Sequence, residues 1–212
     1  MTPQVRLAIL AVLAVAPTYL NDLLYMRAAG VSDWLLADYG SKTLVLILIL
    51  AFPDTRRALA GAWTWAPFER TPRYAPLAWA LAVAGVVVIA FLYLKPPLDA
   101  FAPGMKLFVY PDIDDPAVHA FDLSAGLVLT AVAEELAFRG LARRVIGAFT
   151  GNTTAITVIS ALAFAAIHWS NGLGSLTIAF IAGILLMALH IRSGSLWPPV
   201  IAHYLADLAL FV

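Results

Sequence analysis

The twenty residues Ala75–Leu94, APLAWALAVAGVVVIAFLYL, carry no charged side chain. Wound as an α-helix at about 1.5 Å per residue they reach about 30 Å, the thickness of a bilayer's hydrocarbon core. A transmembrane barrel strand would be about half as long and would alternate in polarity, whereas here the apolar residues run together. Working outward, comparable stretches occupy about 5–20, 34–52, 123–149, 154–169, 174–191 and 195–212. The expected fold is all-α, a polytopic helical membrane protein of about seven transmembrane helices with its active-site core in the C-terminal half.

Composition agrees. Of the 212 residues 62% are hydrophobic and 12% charged, against about 25% charged in an ordinary soluble domain; one water-soluble core cannot hide that much apolar surface. Thirteen Lys and Arg balance thirteen Asp and Glu, so no net field steers the chain to nucleic acid. The absence of cysteine removes disulfides, thiolate nucleophiles and thiolate metal sites. A metal site would have to use His and carboxylates.

Two segments are less regular. Ala14-Val15-Ala16 looks like a signal-peptidase site, but Pro17 follows it directly, so an uncleaved first span is expected. Asp38, Gly40 and Lys42 interrupt the second span, which is expected to begin at the interface. Arg56, Arg57, Arg70 and Arg73 fall between spans two and three. Because cytoplasmic connections collect Lys and Arg, that connection is placed inside. Alternation puts the N-terminus in the cytoplasm, the Pro-rich, acidic 95–116 loop outside as an irregular segment, and the C-terminus outside. The localisation expected is a multi-pass protein of a bacterial inner membrane. The six Trp, including Trp34, Trp169 and Trp197, read as interfacial anchors. The chain divides into N-terminal helices and outer loop, 1–118, and a helical core, 119–212.

Ionisable side chains inside a span cost at least about 2.5 to 3.5 kcal/mol each, so they normally face a bundle interior or an aqueous cavity and mark function. They concentrate in the second half. Glu134, Glu135 and Arg139 lie in span four, His168 ends span five, and His203 and Asp207 lie in span seven. Glu135 and Arg139 are spaced i, i+4 and suit an ion pair on one helix face, as His203 and Asp207 share a face. Glu134 points about 100° away from Glu135. With a hairpin turn at Gly151–Thr153, Glu134 and His168 both lie roughly 21 to 23 Å from that turn and can meet. His203 and Asp207 count to roughly 12 and 18 Å, one to two turns nearer the inner face. His119 and His190 are expected at interfaces.

Glu134-Glu135-x-x-x-Arg139, Phe164-x-x-x-His168 and His203-x-x-x-Asp207, in that order, resemble the three motifs of the CPBP intramembrane proteases, the family of CAAX prenyl endopeptidases and bacterial Abi proteins. Gly194-Ser195-Leu196-Trp197-Pro198 resembles that family's approach to its third motif. The resemblance covers about residues 120–210. It departs at Asp207, where the prenyl endopeptidase branch has Asn. The resemblance implies an intramembrane glutamate-type endopeptidase in which Glu134 and His168 hold and activate water while His203 and Asp207 support the tetrahedral intermediate. Glu135, Arg139 and Phe164 then serve as structural support.

Residue chemistry is compatible, since peptide hydrolysis needs a base for the water proton and donors for the oxyanion. As an anion Asp207 would repel an oxyanion, so it is expected to be protonated, to orient His203 through a hydrogen bond, or to bind a metal. No cofactor is expected, although Glu134, His168, His203 and Asp207 offer zinc-compatible ligands. No His-Glu-x-x-His helix supports the metalloprotease alternative. A membrane binding or sorting protein, or an ion-coupled transporter relaying protons through the same side chains, is a third reading. The partners expected are the lipid bilayer and a membrane-associated peptide or protein substrate.

Overall fold

A computed structural model describes residues 1–64 and 75–212; Arg70 and Arg73, used above for orientation, lie outside the described residues. The chain forms helices α1 (Pro3–Tyr25), α2 (Val31–Ala51), the short α3 (Pro53–Ala58) and α4 (Ala75–Phe101). The second half forms α5 (Pro116–Gly147), α6 (Thr153–Ala166), α7 (Gly172–Ser193) and α8 (Trp197–Phe211). Five of these, α1, α2, α4, α5 and α7, are long and apolar enough to cross a membrane. The other two expected spans are helices of 14 and 15 residues, α6 and α8. The protein is an all-α polytopic membrane protein. Its outer faces carry exposed Val12, Leu13, Ile47, Ile89 and Leu92, tolerable only where lipid replaces water.

Local chemistry sets the helix ends. Thr2 Oγ1 accepts the Val5 N–H at the start of α1, and Asn152 Oδ1 accepts that of Ala155 in α6. Gly194, at φ +67°, ends α7 in the left-handed region that a side-chain-bearing residue enters only at a cost. The irregular outer segment is shorter than the prolines suggested. Helix α4 runs through Pro96 and Pro97 to Phe101, because Lys95 pairs with Asp99 one turn on, and Asp99 Oδ1 accepts the Gly174 N–H at 2.8 Å, seating that turn on α7. At the other side Asp115 Oδ1 caps α5 by accepting from Ala117 and Val118 at 2.8 and 3.0 Å, so α5 begins at Pro116 rather than 123. Only 102–115 is left between them, including one 3₁₀ turn at Pro103–Met105.

Helix α5 widens twice into π-helical turns, at Asp122–Gly126 and Leu136–Leu141. Such turns disturb the regular i to i−4 ladder and tend to occur at functional sites. In the second, Ser160 of α6 donates its hydroxyl to the Phe138 carbonyl at 2.7 Å, giving that buried carbonyl a partner from a neighbouring helix. Helix α7 is the hub, packing on α4, α6 and α8, while α5 contacts α2 and α8. Its approach to α6 is close: a Cβ on Gly183 would lie 2.8 Å from Ala161 Cα.

The second span is one continuous helix. Asp38 and Lys42 form a buried i, i+4 ion pair inside the bundle, and Tyr25 of α1 donates to the same Asp38 oxygen. Trp34 is likewise buried rather than interfacial, edge-on to Tyr110 with ring centres 5.9 Å apart. His190 is buried too, its Nδ1 3.0 Å from the Ser195 carbonyl and its Nε2 3.0 Å from Arg143. For Asp38, Lys42 and His190, partners inside the bundle hold the polar atoms; Trp34 is held by ring contacts instead.

Candidate active site

Glu134 and Glu135 end the regular part of α5, immediately before the Leu136–Leu141 π turn that carries Arg139. Arg139 Nη1 lies 3.0 Å from Glu135 Oε1, both side chains fully buried. The guanidinium also sits 4.1 Å over the Phe164 ring centre, where the π face compensates part of its lost hydration. The spacing argument for this pair holds. What spacing alone did not indicate is the third member: His203 Nδ1 meets the same Glu135 oxygen at 2.8 Å.

His203 is surrounded by carboxylates. Its Nε2 lies 3.3 Å from Asp207 Oδ2 and 3.7 Å from Glu134 Oε2. Oxygens therefore face both ring nitrogens, an arrangement satisfied by a ring with a proton on each. Of the three situations considered for Asp207, the geometry shows contact with His203. The expected one-to-two-turn offset between Glu134 and His203 is absent. Straight-helix counting cannot register the π turn in α5, and α8 begins with Pro198 and Pro199 packed in the core rather than at the bilayer edge.

His168 lies just beyond α6, in the turn that leads to Asn171 and Gly172, the latter at φ +95°. The helix was expected to include it; it ends at Ala166 because that turn is held from elsewhere. Asp22 of α1 accepts from the Ser170 hydroxyl and amide at 2.7 and 3.3 Å, and Leu107 N–H donates to the Ser170 carbonyl at 2.8 Å. Lys106 and Asn171 form an isolated antiparallel bridge, and Asn171 Nδ2 donates to Tyr110 at 3.3 Å. His168 Nδ1 is 3.3 Å from the Phe164 carbonyl. A carbonyl only accepts, so Nδ1 carries a proton, and in the neutral ring Nε2 is the bare nitrogen. Phe164 touches both histidines, its ring centre 5.3 Å from His168 and 5.8 Å from His203.

Glu134, His168, His203 and Asp207 line one cavity of about 350 Å³. Its apolar wall is Val87 and Phe91 of α4 with Ile178, Ala182 and Leu186 of α7; Tyr110, Asp112 and His119 line another part. A second cavity of about 30 Å³ is also lined by Glu134 and His168, with Ile167 and Asn171 beside them and Asn21, Tyr25, Lys42 and other polar groups of the first half completing the wall. Sequence reading placed no site residue in that first-half part of the wall. The signal was present: Asn21 and Tyr25, like Asp38 and Lys42, are spaced i, i+4, as are Glu135 and Arg139. Among the described residues no three His, Asp or Glu side chains are grouped so as to hold a metal ion.

No curated protein and no solved structure matches the chain. A family model does: that described as Type II CAAX prenyl endopeptidase Rce1-like matches residues 116–209, which take in α5 to α8 and every residue of the three motifs. The part of the chain that carries Glu134, His168, His203 and Asp207 is thus similar to the Rce1-like family.

Proposed function

We propose that the protein is an intramembrane glutamate-type endopeptidase that cuts a peptide bond in a membrane-associated or lipidated protein or peptide. The observation that carries the reading is the convergence of Glu134, His168, His203 and Asp207, from α5, the turn after α6, and α8, on one cavity with an apolar wall. The match to the Rce1-like family supports the same class of reaction and a prenylated substrate.

In this mechanism a water lies between Glu134 and His168. Its oxygen attacks the scissile carbonyl carbon while its proton passes to Glu134. The carbonyl π electrons move to the oxygen, and positive charge at His203, set by Glu135 and Asp207, offsets the oxyanion. Collapse of the tetrahedral intermediate breaks the C–N bond, and the Glu134 proton leaves with the amine. Asp207 acts through His203 and so does not confront the oxyanion directly. The apolar wall from α4 and α7 accommodates aliphatic side chains or a lipid.

The test is a cycle of purified variants assayed on a prenylated CAAX peptide. Glu134→Gln preserves volume and hydrogen bonding but cannot accept the proton, so cleavage should fall by about 10² to 10⁴ with the fold intact. His168→Ala should fall comparably and the double variant little further, since both groups act on one water. Near-normal turnover by folded Glu134→Gln rejects the glutamate mechanism.

A further inference from the structure

The small cavity differs from the large one in kind. Ile167 is the one apolar residue in its wall. The rest are polar: Thr18, Asn21, Asp22 and Tyr25 from α1, Lys42 from α2, Tyr110, Asn171, and the site residues Glu134 and His168. A volume of about 30 Å³ has room for one or two water molecules, which need two to four polar partners each. Most of the polar atoms here are already committed. Asn21 Nδ2 donates to Tyr25, Tyr25 donates to Asp38, and Lys42 pairs with Asp38. Asn21 Oδ1 is not: it is buried and has no hydrogen-bond partner among the described residues. An acceptor left without a partner costs about 1 to 3 kcal/mol, which a bound water would offset.

We infer that this cavity is a water chamber, built by α1 and α2 outside the Rce1-like segment, which holds ordered water hydrogen-bonded to Asn21 Oδ1 and feeds the water that Glu134 and His168 activate. The inference rests on the endopeptidase reading and adds a division of labour to it. The peptide enters the larger cavity against its apolar wall, and water reaches the scissile bond from the polar side, past Glu134. Hydrolysis consumes water, which hydrocarbon cannot provide. Asn21 is a positioning residue: it touches neither the peptide nor the reacting atoms.

Two substitutions separate hydration from support. Both Asn21→Leu and Asn21→Ser lose the bond to Tyr25, but leucine fills the chamber with hydrocarbon whereas serine leaves room and a hydroxyl for water. On the prenylated CAAX peptide, Asn21→Leu should lower kcat by about 10 to 100-fold with KM within about twofold, and Asn21→Ser should keep most of the turnover. If leucine prevents folding, Thr18→Val is expected to give the same kcat-only loss at smaller size. Equal losses for Leu and Ser, or unchanged kcat in folded Asn21→Leu, overturn the inference while the Glu134→Gln result still decides the protease reading. A high-resolution crystal structure tests the chamber without any assay: density for water on Asn21 Oδ1 is expected, and a dry chamber overturns the proposal whether or not the protein cleaves the peptide.

Discussion

His203 Nδ1 and Glu135 Oε1 lie 2.8 Å apart, and that same oxygen lies 3.0 Å from Arg139. One carboxylate thus joins the π turn of α5 to the middle of α8. The second Glu of the pair is more than a neutraliser for Arg139: it fixes the ring that faces Glu134 and Asp207.

Glu135→Gln should therefore show two effects. Leaving Arg139 without its anion inside the bundle should destabilise the protein by about 3 to 5 kcal/mol, seen as lower folded yield and a lower melting temperature in detergent. In the fraction that folds, kcat should drop with KM retained, because His203 loses its orientation while the apolar wall is untouched. A variant that folds as well as wild type would contradict the ion-pair role; unchanged kcat would contradict the positioning role.

The Asp38–Lys42 pair gives a second test. Lys42→Met leaves Asp38 as a lone buried anion and should cost about 3 to 5 kcal/mol, whereas Lys42→Met combined with Asp38→Asn should recover most of the loss. Additive destabilisation, measured by thermal melting of single and double variants, would show that the two side chains act separately.

Topology can be read directly because the chain has no cysteine. If the connection rich in arginine is cytoplasmic, a cysteine at exposed Asp114 should react with an impermeant thiol reagent in intact cells, and one at Ala60 only after permeabilisation. The opposite pattern inverts the orientation.

The metal question has its own measurement. If Glu134 and His168 activate water unaided, exhaustive chelation should leave peptide cleavage intact, and elemental analysis should find well under one zinc per chain. Stoichiometric zinc whose removal and return switches cleavage off and on would establish the metalloprotease alternative.

How much was legible in the sequence depended on how local the determining physics was. Continuous hydropathy, as in Ala75–Leu94, located every apolar helix to within a few residues where no competing partner intervened. The Glu135–Arg139 pair followed from spacing on one helix. Features set by other parts of the chain were hidden. Helix α4 passes Pro96 and Pro97 because Asp99 docks on Gly174, and His168 leaves α6 because Asp22 and Leu107 hold Ser170. Asp38 and Lys42 looked like interruptions when hydropathy was averaged along one strand of sequence. Their meaning lies in Tyr25, on a different helix.

Helix α6 has 14 residues, a length of about 21 Å, against about 30 Å of hydrocarbon in a typical bilayer. Its outward side chains Val158, Ile159 and Leu162 are exposed, so lipid must meet a surface too short for it. The membrane accommodates such mismatch by local thinning, at a modest cost for each ångström. Thicker membranes are therefore expected to destabilise the region of α6 and the His168 turn at its end. Acyl-chain length in reconstituted vesicles becomes a control on turnover that acts without any change in the protein.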